Sequence, residues 1–231
     1  MLDPQDYQLI YGQAALSGFD SRAGGLPLHP IVIEPFHRLQ QSACKDGVGL
    51  TIASGFRNFQ RQLLIWNRKA RGELPVLSSD GRPLNLTMLC EREQVFAILR
   101  WSALPGASRH HWGTDMDVYD SKVILPENYR VQLTVEEANT LFASLHQWLN
   151  RVITEKLSFG FFRPYHRDTG GVAPEQWHLS YAPLASEFQQ AFSIDILAEI
   201  LTKTDIALKK AVLDNLDEIE ARFIRIPSRE C

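Results

Sequence analysis

The sequence predicts an α+β fold, in which a single domain has a small, mainly antiparallel sheet, helices packed around it and extra helices at the C-terminus. Two observations predict it. The 231 residues suffice to bury one core, and a chain of this length is more often one elaborated domain than two. Stretches with the apolar spacing of amphipathic helices also alternate with short β-branched or aromatic runs that are typical of strands.

The first half of the chain predicts two helices, one strand and a long loop. Apolar residues recur at helical spacing over 30–43, and the run GLTIASGF at 49–56 predicts a buried strand. A second helix is predicted over 58–71, directly after Arg57. Residues 72–86 are rich in Pro, Gly, Ser and Asp. Because a long loop inside a compact domain is more often functional than idle, we expect this one to be a lid or a cleft wall.

The second half predicts a similar mixture of elements. In order, these are a helix over 91–101, a strand in DMDVYD, a helix that starts at the capping box of Thr134 and Glu137 and runs to about Ile153, strands in FGFFRPY and EQWHLSY, and two C-terminal helices. We expect residues 1–192 to form the main domain and residues 193–231 to form a helical extension packed on it.

Composition excludes several classes of protein. The formal charge is −3 and the basic residues are scattered, so nucleic acid is not an expected partner. No apolar stretch reaches the roughly 18 residues of a membrane span. Cys44, Cys90 and Cys231 lie far apart, which predicts free thiols. The N-terminus has no basic and apolar regions of a secretory signal, so we expect a cytoplasmic protein, with a periplasmic location by another route as the alternative.

The segment SRHHWGTDMDVYD, residues 108–120, carries the strongest chemical signal. His110 and Asp117 are separated by six residues, and Gly113 between them permits a tight turn that would bring a loop histidine back to a strand aspartate. Zinc in hydrolases typically takes three protein ligands and leaves a fourth position open. The best third ligand is His178, which lies in a strand-like run and follows an acidic residue, Glu175, by three positions.

The strand pattern constrains two of the nearby acids. Residues three apart on a strand point to opposite faces, so Glu175 can share the side of His178 only if the chain bends there. Pro174 and the preceding Gly170 and Gly171 make a bend plausible. Asp115 shares the face of Asp117, where it could hydrogen-bond to a ligand or change the charge of the site.

These residues resemble a known family. Ser-x-His-x-x-Gly-x-x-x-Asp at 108–117, followed by Glu-x-x-His at 175–178, is similar to the pattern of the D-alanyl-D-alanine metallopeptidases, peptidase family M15. That group includes VanY-type carboxypeptidases and VanX-type dipeptidases. Upstream, SGFRNFQRQ resembles the Ser-Gly-Tyr-Arg segment of the same family, with Phe56 in place of the tyrosine. The resemblance spans about residues 30–182.

The resemblance implies a role for each matching residue. It makes His110, Asp117 and His178 the ligands of one zinc ion, Glu175 the general acid and base, Arg57 a catalytic or substrate-binding group, and Gln62 and Ser108 further substrate-binding residues. From their positions next to these ligands, Asp115, His111 and Trp177 are expected to orient them. The sheet is then expected to hold a zinc cleft. One position departs from the family, which usually has a small apolar residue where this chain has Asp115.

The implied activity is that of a zinc-dependent D,D- or L,D-carboxypeptidase, which removes the terminal D-alanine of peptidoglycan-type peptides. A D-alanyl-D-alanine dipeptidase or a cell-wall endopeptidase is the alternative within the same class. A non-catalytic, zinc-stabilised binding module is the alternative from another class, since the hedgehog signalling domain resembles these peptidases without acting as one. The presence of Glu175 and Arg57 favours an enzyme.

Overall fold

A four-stranded antiparallel sheet forms the centre of the computed structural model, which describes residues 2–14, 28–79 and 81–226. The strands are β1 (Leu50–Ser54), β2 (Asp115–Asp120), β3 (Phe161–Phe162) and β4 (His178–Tyr181). They pair in the order β1-β2-β4-β3, and every neighbouring pair is antiparallel. The α+β fold predicted from the sequence is confirmed.

Helices surround this sheet along the described part of the chain. They are α1 (Pro4–Ile10), α2 (Pro30–Lys45), α3 (Phe59–Ala70), α4 (Glu91–Leu99), α5 (Val135–Asn139), α6 (Ala143–Thr154), α7 (Ala182–Ala191), α8 (Ile194–Lys203), α9 (Lys209–Asp214) and α10 (Leu216–Ile219). Short 3₁₀ helices span Leu86–Met88 and Arg109–Trp112, and a π-helical turn spans Glu220–Ile224. Among the described residues, no helix combines the length and apolar character needed to cross a bilayer.

Strand β2 separates a hydrophobic core from a polar cleft. Its alternate side chains point to opposite faces of the sheet. Met116 and Val118 are fully buried on one face, where they pack with Phe36 of α2 and other apolar residues of α2 and α6. Asp115 and Asp117 lie on the other face, and Asp117 lines the cleft. The core beneath the sheet therefore determines which side chains of β2 reach the cleft.

A second hydrophobic cluster joins α3 and α4 to the C-terminal helices. Trp66 of α3 and Ile98 of α4 are fully buried in it, together with Val212 of α9. The indole Nε1 of Trp66 donates a hydrogen bond to the backbone oxygen of Ala207, at 3.0 Å. Because these contacts cross from α3 to the end of the chain, the C-terminal helices complete the core on which α3 lies. Cys231 lies outside the described residues.

The helix predicted from Thr134 to about Ile153 is interrupted. Its capping box is present, with Thr134 accepting from the backbone N–H of Glu137, but α5 ends at Asn139 and α6 begins only at Ala143. Thr140 leaves the helical conformation, with φ −120° and ψ −84°. Its hydroxyl donates to the backbone oxygen of Glu136 at 2.7 Å, and side-chain bonds of this kind compete with the helical ones. The single-helix prediction was therefore wrong.

The C-terminal region also contains more helices than predicted, since the described chain forms α7 to α10 rather than two. The last predicted helix, with apolar residues at 208, 212, 216, 219 and 223, begins only after Leu208, where φ is +60°, and is broken at Asn215. The Asn215 amide donates to the backbone oxygen of Ala211 at 2.7 Å, which satisfies that carbonyl locally. The two preceding strand predictions also shorten, to β3 and β4, and Pro183 lies in the first turn of α7.

Substitution of two neighbouring residues of α8 can test whether the C-terminal helices belong to the core. Leu197 is fully buried, whereas Ile196 is 47% exposed. We expect Leu197→Ala to lower the free energy of unfolding by about 2–5 kcal/mol, because it leaves a cavity, and Ile196→Ala to change it by less than about 1 kcal/mol. Urea unfolding of the two variants checks this, and equal losses would contradict the packing described.

Candidate metal centre

His110 and Asp117 meet because the chain turns sharply between them. His110 lies in the 3₁₀ helix Arg109–Trp112, which ends at Gly113 with φ +67° and ψ 6°. This left-handed conformation carries little cost for glycine, which has no Cβ. The chain then enters β2, and Asp117 Oδ2 lies 3.3 Å from His110 Nε2. The turn predicted from Gly113 is present.

His178 joins them across the sheet. It is the first residue of β4 and pairs directly with Asp117 of β2. Its Nδ1 lies 3.2 Å from Asp117 Oδ1, and its ring lies edge-on to that of His110, with 4.9 Å between the ring centroids. One ligand atom from each of His110, Asp117 and His178 lies within 4.8 Å of the other two, and all three residues are buried.

Glu175 reaches the same side as His178 because the chain makes a turn before β4. The backbone N–H of His178 donates to the oxygen of Glu175 at 3.2 Å, and the N–H of Glu175 donates to the oxygen of Tyr165 at 2.9 Å. Glu175 is therefore in a turn rather than on a strand, and the alternation of faces does not apply. Its Oε2 lies 3.5 Å from His178 Nδ1.

The second nitrogen of each histidine is held by an acceptor. His110 Nδ1 lies 2.8 Å from the backbone oxygen of Gly55, and His178 Nε2 lies 2.9 Å from Asp115 Oδ1. Since a carbonyl or carboxylate oxygen only accepts, we assign the proton to these two nitrogens. The opposite nitrogens then face Asp117. Histidines that bind metals typically have their other N–H held in this way.

Asp115 is the buried anchor of His178. Its side chain has no exposure to solvent, and its Oδ1 also accepts from Arg109 Nε at 2.8 Å. Its Oδ2 accepts from the hydroxyls of Thr114 and Ser180, at 2.6 and 2.9 Å. Burial by itself would raise the pKa of Asp115, but Arg109, His178 and Thr114 hold it at about 2. Asp115 is therefore a charged, fully hydrogen-bonded carboxylate behind a ligand.

Carboxylates surround His178 and act on its charge. Burial would lower the pKa of His178, but hydrogen bonds with Asp115, Asp117 and Glu175 raise it well above its ordinary value. Burial would likewise raise the pKa of Asp117, and the neighbouring His110 and His178 lower it instead. Two imidazole nitrogens and one carboxylate oxygen, with another carboxylate in reach, form a donor set typical of catalytic zinc sites. The residues present therefore fit a zinc ion.

Arg57 lies beside this cluster, just before Asn58, the N-cap of α3. Its backbone N–H donates to the oxygen of His110 at 3.1 Å, and its guanidinium donates to Gln62 Oε1 at 2.8 Å. Burial lowers the pKa of Arg57, whereas Asp117 and Glu175 raise it. Both carboxylates are thus close enough for their charges to act on the guanidinium.

Gln62 lies behind the cleft wall and not on its surface. It was expected to bind substrate, but it is fully buried and does not line the cleft. Its oxygen accepts from Arg57, and its amide donates to the backbone oxygen of Ala103 at 2.7 Å. Both ends of the amide are occupied, so Gln62 holds the guanidinium of Arg57 in place.

The remaining predicted residues divide between the cleft and its support. Ser108, which precedes the 3₁₀ helix, and Trp177, next to His178, are buried and line the cleft. His111 is fully buried outside it, where Nε2 accepts from the backbone N–H of Gly106 at 3.1 Å and Nδ1 contacts the oxygen of Arg57. Burial lowers the pKa of His111 to about 3. His111 therefore supports the backbone of Arg57.

The cleft has a volume of about 900 Å³. Part of the 72–86 loop lines one side, as the sequence predicted for a wall. The segment from Gln132 to Glu136, with Asn139, lines another side. No sequence pattern predicted this, apart from the helix start at the capping box. Lys69, Trp101 and Ser102 also line the cleft and were missed, because each of them belongs to a segment that reads as ordinary helix or loop.

The fold and the site agree with a family assignment. A family model described as "VanY: D-alanyl-D-alanine carboxypeptidase" matches residues 25–184. The match covers more than half of the chain, and the protein belongs to this family. The resemblance inferred from the motifs is confirmed.

Individual relatives extend this comparison. Two uncharacterized proteins of Haemophilus influenzae (strain ATCC 51907 / DSM 11121 / KW20 / Rd) are similar in sequence. One is 50% identical over 72 residues, covering 31% of this chain and 49% of that protein. The other is 31% identical over 125 residues, covering 52% of this chain and 92% of that protein. The chain thus spans about half the length of the first relative.

A solved structure shares the fold. It is a mutant of the vancomycin resistance D,D-pentapeptidase VanY from a VanB-type resistance cassette, in complex with Zn(II). The sequences are 19% identical, the alignment covers 84% of this chain and 88% of that chain, and the TM-score is 0.50. At this identity the likeness supports the fold.

The three clustered residues predict the metal content of the protein. We expect the purified wild-type chain to hold about one zinc ion, and we expect His178→Ala or Asp117→Ala to lower that content at least about tenfold, because each removes a ligand. His37→Ala is the control, since His37 lies on α2 and contacts Gln40. Elemental analysis after dialysis measures the content, and full zinc retention in both ligand variants would contradict the assignment.

Asp115 predicts a separate effect on affinity. Asp115→Asn removes the charge that holds His178 Nε2, so we expect zinc affinity to fall by about 10- to 100-fold. Asp120→Asn is a matched control on the same strand, because Asp120 bonds the backbone N–H groups of Gly49 and Lys122 instead. Titration against a competing chelator measures the affinities. Equal affinity in Asp115→Asn and wild type would show that this contact does not orient the ligand.

Proposed function

We propose that this protein is a zinc-dependent D,D- or L,D-carboxypeptidase that removes the terminal D-alanine from peptidoglycan-type peptides. The observation that carries the proposal is the position of Glu175, whose carboxylate lies 3.5 Å from His178 in the cluster with His110 and Asp117. A site that only stabilised a fold would not need a further carboxylate facing the ligands. The family supports the substrate class, since its description is that of a D-alanyl-D-alanine carboxypeptidase.

His110, Asp117 and His178 would hold one zinc ion. When bound, the ion supplies a Lewis acid that polarises a carbonyl group and lowers the pKa of water. The solved VanY that shares this fold is in complex with Zn(II), which supports the choice of metal. A site with three protein ligands also leaves a coordination position open, as catalytic sites require.

Glu175 is the proton carrier of the proposed reaction. Its carboxylate accepts a proton from the attacking water while the water oxygen bonds to the scissile carbonyl carbon. The same carboxyl group then donates that proton to the leaving amine as the carbon–nitrogen bond breaks. The products are a shortened peptide and free D-alanine. The turn of Glu175 to His178 and the bond of the Glu175 N–H to Tyr165 fix the backbone that carries this carboxylate.

Arg57 supplies permanent positive charge at the same place. Asp117 and Glu175 both act on its guanidinium, so it lies near the position where a carbonyl oxygen gains negative charge. Preorganised charge of this kind stabilises the transition state without reorganisation. Gln62 and Ser54 each accept a hydrogen bond from Arg57, at 2.8 and 3.3 Å, and thereby limit the movement of the guanidinium.

Substitution of Glu175 tests the proposal. We expect Glu175→Gln to keep its zinc and to lose about 10²- to 10⁴-fold in kcat, because the amide cannot exchange a proton. Glu34→Gln, an exposed change on α2, is the control and should retain full activity. Release of D-alanine from defined peptides ending in D-alanyl-D-alanine or in L-residue–D-alanine measures turnover and distinguishes the two specificities. Chelation should abolish turnover, and added zinc should restore it.

Other outcomes of that assay would overturn the proposal. Release of D-alanyl-D-alanine as a unit would identify a dipeptidase, and cleavage within cross-links without D-alanine release would identify an endopeptidase. If the zinc-loaded wild-type chain turned over no peptide of this kind, the site would instead be that of a zinc-stabilised binding module.

A further inference from the structure

Lys69 is a second cation in the cleft. It is in the last turn of α3 and lines the same cavity as Arg57, Glu175 and the three clustered residues. The adjacent Arg68 behaves as a surface residue, since its Nε lies 3.3 Å from the exposed carboxylate of Glu73. Lys69 instead turns inward, and its Nζ donates to Ser102 Oγ at 2.7 Å.

A chain of contacts places Lys69 on the wall that carries Arg57. Arg57 donates to Gln62, and Gln62 donates to the backbone oxygen of Ala103. Lys69 donates to the next residue, Ser102. Gln62 and Lys69 are seven positions apart, which places them on one face of α3 about two turns from each other. Long helical side chains lean toward the N-terminus of the helix, and the charge of Arg57 acts on Lys69 in the shared cavity.

The ammonium group of Lys69 makes no ion-pair contact with a carboxylate of the described residues, although Glu175 lines the same cavity. Its hydrogen-bond partner is a hydroxyl. Burial lowers the pKa of Lys69, and the charge of Arg57 lowers it further, whereas Glu175 raises it. A partly buried ammonium without an anion is unfavourable unless a ligand supplies one. Such a group at the wall of a cleft fits an anionic ligand.

We propose that Lys69 and Ser102 bind the terminal carboxylate of the substrate, which leaves Arg57 for the scissile carbonyl group. This inference rests on the proposed function, because a carboxypeptidase substrate ends in a carboxylate by definition. When one residue leaves, that carboxylate lies about one residue length, ~3.8 Å, from the scissile bond. Lys69 and Ser102 line the same cleft as Arg57 and offer a separate cation and a hydroxyl for this group.

The division of roles follows from the geometry of each cation. Arg57 is held by two side-chain acceptors, Gln62 and Ser54, and Asp117 and Glu175 act on its charge. Lys69 is held by one hydroxyl, and its flexible stem can follow a carboxylate. The hydroxyl of Ser102 can in turn donate to the same carboxylate. The proposed site therefore recognises peptides with a free acid terminus and discriminates against amides.

Ligand binding tests the inference apart from catalysis. The probes are D-alanyl-D-alanine and its C-terminal amide, titrated calorimetrically into zinc-loaded Glu175→Gln protein. We expect the free acid to bind about 10- to 100-fold more tightly than the amide, which corresponds to one charge-assisted hydrogen-bonded contact. Adding Lys69→Met should bring this ratio close to one, and adding Lys69→Arg should retain part of it. Lys45→Met, an exposed change at the end of α2, should leave the ratio unchanged.

Specific results would overturn the inference. If the preference for the free acid persisted in Lys69→Met, the carboxylate would bind elsewhere, and if neither probe bound, no such site would exist. In the otherwise wild-type enzyme, Lys69→Met should raise KM with kcat nearly unchanged, because a binding contact is lost. A fall in kcat at constant KM would assign Lys69 to the chemical step and contradict the proposal. Failure of the proposed function is distinct, since it would show as no peptide turnover by the wild-type chain.

Discussion

The pairing of β2 with β4 is the interaction on which the site depends. In the observed register Asp117 lies opposite His178, and Asp115 lies opposite Ser180. Side chains alternate along a strand, so a slip of one residue would turn Met116 and Val118 toward the cleft and both aspartates into the core. The apolar residues of β2 that pack on α2 and α6 therefore do more than stabilise the fold. They fix the register, and the register brings ligands from two distant segments together.

The same sheet contains a buried charge that the packing has to accommodate. A carboxylate without solvent is unfavourable unless it is paired and hydrogen-bonded, and Asp115 meets this condition through Arg109, Thr114, Ser180 and His178. Arg109 in turn lies over the ring of Trp112, 4.6 Å from its centroid. Asp115 is thus connected to both the clustered His178 and the aromatic Trp112, and its neighbours compensate for its charge.

Local sequence signals predicted the part of the site that is formed by local geometry. Gly113 indicated the turn between His110 and Asp117, and period-two alternation placed Asp115 beside Asp117. Lys69 and the segment from Gln132 to Glu136 could not be found in this way, because only tertiary contacts bring them to the cleft. The helix breaks at Thr140 and Asn215 were missed for another reason, since both depend on side chains that bond to backbone carbonyls. The spacing of apolar residues does not show where side chains compete with the backbone for these hydrogen bonds.

The residues matched by the family end at 184, whereas the hydrophobic cluster around Trp66 continues into α8, α9 and α10. The hydrophobic cluster therefore extends beyond the residues that the family model matches. A chain shortened to the matched residues would retain every proposed ligand of the metal and still expose the apolar sides of α3 and α4 to water. Lys69 lies in α3, and Arg57 comes just before its N-cap. The C-terminal helices therefore support, through their packing on α3, the side of the cleft that carries these two cations.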